Sequence, residues 1–199
     1  MKAAVVRDFG LAPQYENNYP NPLPKVDEAL IHVTASALSN RARSDANGSH
    51  YASAGKLPMV PGVDGVGLLP NGNKVFFVNN GSFAEQVVVE KGHWVAMPND
   101  LKDEKIAGMM NPALSSWVAL KYRADFKEGQ KVLILGATGS AGSMAVQIAK
   151  RLGASSIIAV GRNSKQLTEL RYLGATQTIV LGACLLYTSP SPRDYAASR

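Results

Sequence analysis

The sequence has a single cysteine and no long apolar run, and these two absences exclude several classes of protein. Cys184 cannot form a disulfide within the chain, and thiolate zinc sites need several cysteines at short spacing. The three histidines show no metal-binding spacing either. No segment approaches the roughly 20 apolar residues of a membrane span, and Arg7 and Asp8 interrupt the opening run too early for a signal peptide. We therefore expect a cytoplasmic protein with no membrane partner and no metal.

The charge is modest, with a formal net value of +6, and the basic residues are scattered. A nucleic-acid surface normally shows a clustered basic stripe or a known reading motif, and neither is present. The length of 199 residues fits one large or two small domains, and 46% hydrophobic residues suit a packed core. The sequence therefore favours a small molecule over nucleic acid as the partner.

Residues 1–100 have the pattern of short strands and turns. Strand character is clear in residues 29–35, 74–78 and 83–90, and Asn71-Gly72 and Asn80-Gly81 are typical hairpin turns because both residue types tolerate positive φ. Prolines lie between these runs, where a missing N–H is harmless. This pattern predicts a small barrel or sandwich.

The pattern changes near Asp103. Residues 103–122 are typical of helix, and we expect that helix to be broken at Asn111-Pro112, because proline disfavours helix in the residue before it. A β-α-β-α-β alternation follows, which predicts a parallel sheet built by crossovers. Its expected elements are residues 131–135, 143–152, 156–160, 164–173 and 178–181.

A glycine-rich turn joins the first strand of this alternation to its helix. Three glycines at this place let the backbone turn tightly and let phosphate oxygens approach its amides. The start of the helix then offers free N–H donors and partial positive charge to a diphosphate. Because the turn has the strand–turn–helix context that a dinucleotide site requires, we predict such a site rather than a plain glycine turn. Its residues are Gly136, Ala137, Thr138, Gly139, Ser140, Ala141 and Gly142.

The end of the second strand indicates which dinucleotide binds. NAD sites usually carry Asp or Glu there for the ribose 2′-hydroxyl, whereas this strand ends in Gly161, Arg162 and Asn163. A guanidinium can pair with a 2′-phosphate through bidentate bonds, and Lys165 is near enough in sequence to assist. The sequence therefore predicts NADP(H), the alternative being that Arg162 is a solvated loop residue.

Several ordered strings resemble the medium-chain dehydrogenase/reductase superfamily, and most closely its zinc-free, quinone oxidoreductase-like branch. They are LPMVPGVDGVG (57–67), GSFAEQVVV (81–89), NPALSSWVALKYRADFKEGQKVLILGATGSAGSMAVQIAKRLGA (111–154) and AVGRN (159–163). The resemblance covers residues 1–183. It implies an α/β protein with a GroES-like β-barrel substrate domain at 1–110 and, at 111–183, the N-terminal part of a Rossmann NADP-binding domain, with substrate between them.

The same resemblance implies how the chemistry is arranged. Zinc-dependent relatives carry a cysteine after the early strand and a Gly-His-Glu string; here the cysteine is missing and Val63 replaces the histidine, which implies a zinc-independent enzyme. Asn40 matches an asparagine near the nicotinamide and Tyr51 a tyrosine lining the cleft, so both are candidate catalytic residues, with ordinary loop packing as the alternative. Asp45 replaces a second family tyrosine. We expect Asp64 to tie down the PGVDGVG turn.

The resemblance stops after Ala183. The segment 184–199 resembles translated read-through of a sequencing adapter, and the alternative is a Ser/Pro-rich disordered tail. We therefore expect a C-terminally incomplete fragment that folds poorly, binds cofactor weakly and lacks turnover by itself. Full-length members of the family are often homodimers.

The activity that follows is hydride transfer from NADPH to a quinone, enone or similar activated carbonyl compound. The alternatives are reduction of a 2-enoyl thioester and a non-catalytic NADPH-binding role, since fold does not fix function.

Overall fold

The computed structural model describes residues 1–51 and 56–182, so the segment 184–199 lies outside the described residues. The chain divides into two compact units, Met1–Asn111 and Pro112–Arg199. Four α-helices occur in the described part: α1 (Asn40–Ala46), α2 (Asp103–Val118), α3 (Ser140–Arg151) and α4 (Ser164–Leu173). None of them is long and apolar enough to cross a bilayer.

The first unit is built on antiparallel strands. A small sheet pairs β1 with β2, and a larger one has the order β6-β3-β4-β5-β7. The strands are β1 (Ala3–Val5), β2 (Gln14–Glu16), β3 (Glu28–Ala35), β4 (Asp64–Leu68), β5 (Lys74–Val78), β6 (Gln86–Glu90) and β7 (Trp94–Ala96). In the described residues the two outer strands, β6 and β7, are not paired with each other, so the predicted barrel takes the form of an open five-stranded sheet.

The central strand β4 occupies the segment that the sequence pattern indicated as a turn, and that interpretation of PGVDGVG is wrong for Asp64–Leu68. Glycine is a poor strand former, but two glycines here allow close approach of neighbouring chain. A Cβ on Gly65 would lie 2.8 Å from the Phe77 ring, and one on Gly67 would lie 3.0 Å from the carbonyl carbon of His32. Tertiary packing therefore decides the conformation of this segment.

The start of α2 is tied to the larger sheet by a polar cluster. The Asp103 carboxylate accepts a 2.6 Å hydrogen bond from the Thr34 hydroxyl and lies 2.7 Å from the Lys74 ammonium group. Lys74 also donates to the carbonyl of Leu101. These contacts, the Lys74 bond first, lower the pKa of Asp103.

Helix α2 runs without interruption through Pro112, so the predicted break at Asn111-Pro112 is wrong. The proline removes one amide donor, but the carbonyl four residues earlier belongs to Gly108, which is exposed and therefore open to water. Packing holds the helix on both sides of the proline, since Ile106 and Ser116 are buried. A π-helical turn, Ala119–Arg123, follows the helix directly.

The second unit is a parallel sheet of order β10-β9-β8. Its strands are β8 (Lys131–Leu135), β9 (Ser156–Gly161) and β10 (Gln177–Val180), connected by α3 and α4. One buried core joins the sheet to both helices, and it includes Ile157 of β9, Val146 of α3 and Leu167 of α4. Within the described residues β8 pairs only with β9, and Leu133 and Leu135 on it are 58% and 71% exposed.

The predicted fold class is confirmed: an antiparallel β unit precedes a parallel α/β unit. The predicted bounds of β5, β8 and α4 are reproduced, while α3 begins three residues earlier than expected. The earlier start matters for the glycine turn, because it places Ser140, Ala141 and Gly142 inside the first turn of the helix.

Candidate functional site

The glycine turn reverses the chain between β8 and α3. Gly136 has φ +70°, in the left-handed region that favours glycine, and its carbonyl accepts a 3.0 Å hydrogen bond from the amide of Gly139. Gly139 is the N-cap of α3, and the Ser143 amide makes the first helical bond back to it at 2.8 Å. Main-chain hydrogen bonds thus close the turn.

Gly142 is the position in the turn with least room. A Cβ added there would lie 2.6 Å from Cα of Ala137, a separation that real side chains do not show. Gly139, by contrast, would place a Cβ 3.5 Å from the Gly136 carbonyl oxygen, which is ordinary contact. The close approach of helix to turn therefore depends on one specific glycine.

The first turn of α3 has no side-chain cap, because its N-cap residue is a glycine. The amides of Ser140, Ala141 and Gly142 have no helical partner of their own, and in the described residues no carbonyl outside the helix accepts from them. These free donors, together with the positive end of the helix dipole, favour an anion at this point.

The middle of the turn is anchored to the neighbouring strand β9. The amide of Ala137 donates to the Val160 carbonyl at 2.9 Å, and the Ala137 side chain is fully buried. A Cβ on Gly161 would lie 2.8 Å from Cγ2 of Thr138, so the side chain of Thr138 packs over that glycine. Ala137, Thr138 and Gly161 thus shape the turn, while Gly139, Ser140 and Ala141 at the start of the helix are exposed.

The residues after β9 take different positions. Arg162 is exposed and forms no ion pair with any described residue. Asn163 is the N-cap of α4, where its Oδ1 accepts a 3.1 Å hydrogen bond from the amide of Gln166. Lys165 is exposed in the first turn of α4 and likewise has no ion-pair partner in the described part of the chain. Two such cations therefore lie within four residues of each other, beside the strand that anchors the glycine turn.

The first unit contains a cavity of about 590 Å³. Its apolar wall is formed by Leu11, Ala12, Pro13, Leu38, Ala42, Ala46, Pro61 and Phe83. Its polar wall is formed by Asn40, Arg43 and Ser44 of α1 and by Asn47, the residue that follows this helix. The mixed lining suits an organic molecule with a few polar groups.

The structure places the two candidate catalytic residues differently. Asn40 begins α1 and lines the cavity, whereas Tyr51 is 95% exposed and is not part of the lining. The Tyr51 ring instead lies against His50, with ring centroids 4.4 Å apart. Asp45, where the family resemblance implied a tyrosine, is buried; its Oδ2 lies 3.0 Å from Nε of Arg41 and its Oδ1 lies 3.7 Å from Nδ1 of His50.

Asp64 is a buried carboxylate on β4, only 1% exposed. Neither of its oxygens has a hydrogen-bond partner among the described residues. Burial raises the pKa of Asp64, and the nearby side chain of Asn111 partly offsets this. Asp64 therefore does not tie the PGVDGVG segment through its side chain.

Comparisons with known proteins agree with this geometry. No family model matches the chain. The chain is 30% identical over 208 residues to a protein of Emericella nidulans named "Probable NADPH-dependent quinone reductase", a match that covers 87% of this chain and 58% of that protein. It is 29% identical to the chloroplastic NADPH-dependent alkenal/one oxidoreductase of Arabidopsis thaliana, over 90% of this chain and 52% of the relative.

Solved structures give the same result. The quinone oxidoreductase of Thermus thermophilus, also solved in complex with NADPH, superposes with a TM-score of 0.81 at 29% identity, over 89% of this chain and 58% of that one. In sequence and in fold, this chain is similar to members of the medium-chain dehydrogenase/reductase superfamily. It spans between half and two thirds of the length of these superfamily members.

Two features of the site were not predicted from the sequence. Arg43 and Asn47 line the cavity beside Asn40, and their i, i+3, i+7 spacing on α1 was a usable signal. The Ser116 hydroxyl donates at 2.9 Å to the Ala141 carbonyl, which fixes the first turn of α3 to α2. No sequence spacing indicates that second contact, because it joins residues 25 positions apart through tertiary packing.

Proposed function

We propose that the protein is a cytoplasmic NADPH-dependent oxidoreductase that reduces a quinone, enone or similar activated carbonyl compound without zinc. The observation that carries the proposal is the glycine turn with its uncapped helix, followed one strand later by an exposed arginine in place of a carboxylate. The names of the relatives support the same chemistry, since they include an NADPH-dependent quinone reductase and an alkenal/one oxidoreductase.

The described residues fit NADP(H). The amides of Ser140, Ala141 and Gly142 would hold the diphosphate, and the missing Cβ at Gly142 keeps helix and turn close enough to present them together. Arg162 would pair with the 2′-phosphate, assisted by Lys165. Bound NADPH would supply the hydride, while the protein supplies the orientation of the reactants.

The two units would then have separate tasks. Residues 1–110 form the substrate domain, whose cavity holds the carbonyl compound near the Asn40 carboxamide, and residues 111–183 form the first part of the NADP-binding domain. Asn40 can donate a hydrogen bond to a carbonyl oxygen and so stabilise the negative charge that develops there during reduction. Tyr51 is a second candidate in this unit, and we leave the proton donor unassigned.

The proposal of zinc independence rests on which side chains are present to bind a metal. Val63 stands where zinc-dependent relatives have a histidine, and its side chain has no atom that can bind a metal. Among residues 1–51 and 56–182, no three His, Cys, Asp or Glu side chains come together in a way that could hold an ion. The polarising group would therefore be a protein side chain such as Asn40.

The decisive substitution is Arg162→Gln in the full-length protein. We expect the Kd for NADPH to rise about 10- to 100-fold because a charge-assisted phosphate contact is lost, while the Kd for NADH stays within about twofold. Both are measured by quenching of nicotinamide fluorescence. Arg151→Gln is the matched control, since it removes the same charge from the exposed last turn of α3 and should change neither value.

Turnover separates the enzyme from a binding protein. NADPH oxidation is measured with a panel of quinones, enones and 2-enoyl thioesters, with NADH in parallel and with and without a chelator. We expect quinone or enone reduction that prefers NADPH and survives the chelator. Equal losses for NADPH and NADH in Arg162→Gln, binding without oxidation across the panel, or loss of activity with the chelator would each contradict the proposal.

A further inference from the structure

We propose that the cavity of the first unit selects substrates that carry a carboxylate, and that Arg43 binds this group. The inference rests on the proposed function, since it takes the 590 Å³ cavity as the substrate site, and it narrows the substrate class from activated carbonyl compounds to their anionic members. Three observations support it: the placement of Arg43 on α1, the absence of a counter-charge among the described lining residues, and the division of the cavity wall into polar and apolar sides.

Helix α1 places Arg43, an exposed residue, in the lining of the cavity. Ala42 and Asp45 are buried, so they fix the rotation of the helix against the unit. The Ser39 hydroxyl accepts a 3.1 Å hydrogen bond from the Ala42 amide and caps the helix start. Asn40, Arg43, Ser44 and Asn47 line the cavity, as do Ala42 and Ala46 of the same helix.

The positive charge of Arg43 is not balanced within the cavity. Among the described residues, those that line the cavity include no Asp or Glu, and Arg43 forms no ion pair. The nearest acidic residue in the helix, Asp45, lies against Arg41 at 3.0 Å and His50 at 3.7 Å. A guanidinium presents a planar fork of donors that matches a carboxylate, so an anionic ligand would supply the missing partner.

The spacing of polar groups indicates the form of the substrate. Asn40 and Arg43 are three residues apart on one helix, which puts their Cβ atoms about 5–6 Å from each other. A substrate whose carbonyl oxygen meets the Asn40 carboxamide would therefore present its carboxylate to Arg43 a few bonds away. Leu11, Leu38 and Phe83 on the apolar wall would contact the carbon skeleton. A 4-oxo-2-enoate has this arrangement of groups.

A phosphate group of NADPH is the other source of an anion, and the experiment separates the two. The probes are 4-oxopent-2-enoate and its methyl ester, which share the enone and differ in charge. With the full-length protein, we expect Arg43→Gln to raise KM for the acid about 10- to 100-fold and to change KM for the ester by no more than about twofold. Arg43→Lys keeps the positive charge but loses the planar set of guanidinium donors, so its KM for the acid should lie between those of wild type and Arg43→Gln.

Arg41→Gln is the matched control, because it removes the same charge from the same helix at a residue that does not line the cavity. Its KM ratio of ester to acid should stay within about twofold of wild type, and thermal melts confirm that each variant is folded. Binding of the acid to the oxidised, non-reacting form of the enzyme, followed by calorimetry, gives a readout independent of turnover.

The outcomes are distinguishable. Equal KM values for acid and ester in the wild type overturn the carboxylate proposal and leave the oxidoreductase standing. A rise in the Kd for NADPH in Arg43→Gln, with the acid-to-ester preference unchanged, assigns the guanidinium to the cofactor and also overturns it. Failure of both probes to be reduced, alongside failure of the wider panel, overturns the proposed function itself.

Discussion

The two candidate binding regions present different kinds of binding group. The glycine turn of the second unit offers main-chain amides and relies on absent side chains, with Gly142 set against Ala137 and Gly139 unable to cap the helix. The cavity of the first unit offers side chains, above all Asn40 and Arg43 on α1. One region would recognise a constant group, the diphosphate, and the other a group that differs from substrate to substrate.

This difference determines which substitutions each region tolerates. Adding atoms to a site made of main chain forces helix and turn apart, so even one methyl group should be harmful. Changing a side chain in the other region alters charge or hydrogen bonding and leaves the backbone in place.

The largest effect is expected for Gly142→Ala. Its Cβ would lie 2.6 Å from Cα of Ala137, so the helix must shift and the three free amides lose their common direction. We expect the Kd for NADPH to rise more than about 100-fold and the free energy of unfolding to fall by about 1–3 kcal/mol. Fluorescence quenching and chemical denaturation measure the two quantities.

Gly139→Ala is the control within the same turn. It adds the same methyl group at 3.5 Å from the nearest atom, with φ −80° that alanine adopts without strain. We expect its Kd for NADPH to stay within about threefold of wild type. Similar losses in both variants would show that any added atom disturbs the turn and would end the argument for one critical glycine.

An intermediate effect is expected from the buried carboxylate of the first unit. Asp64 has no hydrogen-bond partner in the described residues, and burial raises its pKa, so the folded state favours the protonated acid. The folded protein therefore binds more protons than the unfolded chain between the ordinary pKa of an aspartate, about 3.9, and the raised value. Stability that is present below that range is lost as pH rises through the raised pKa.

Asp64→Asn removes the charge and keeps the shape. We expect the variant to exceed wild type in unfolding free energy by about 1–3 kcal/mol at pH 8, and the difference to shrink as pH falls toward 4. Asp100→Asn, at an exposed position, is the control and should show no such trend. A difference that grows toward low pH would mean that the carboxylate is stabilised in its charged form.

The contrast also explains what could be predicted from the sequence. The glycine turn and the position of Arg162 could be predicted from the sequence, because both are defined by spacing relative to the ends of neighbouring strands. The bounds of β8 and α4 were equally accessible, since a short apolar run and a capped amphipathic helix are local patterns.

Tertiary packing decided the rest. Local preference placed a turn where Gly65 and Gly67 form a central strand, and a break where α2 continues through Pro112. In each case contacts far along the chain, with Phe77 and His32 for the strand, outweigh the propensity of the residue. The cavity lining was missed for the same reason, because Leu11, Arg43 and Phe83 meet only in the folded unit.

The smallest effect is expected for Leu135→Lys, the residue immediately before the glycine turn. Leu135 is 71% exposed on the edge of β8, so its side chain contributes little to packing, and its neighbour Ile134 is 8% exposed and belongs to the core. We expect Leu135→Lys to change the unfolding free energy by less than about 0.5 kcal/mol and to leave the Kd for NADPH unchanged in this chain.

The same substitution should reduce self-association of the 199-residue chain, because a lysine on a strand edge that pairs with no other described strand discourages pairing with another copy. Light scattering during a slow concentration series measures this, and Ile134→Lys serves as the buried counterpart that should unfold the unit. If Leu135→Lys instead weakens NADPH binding or lowers stability by more than about 1 kcal/mol, then side chains as well as main chain support the turn, and the contrast between the two regions would be one of degree.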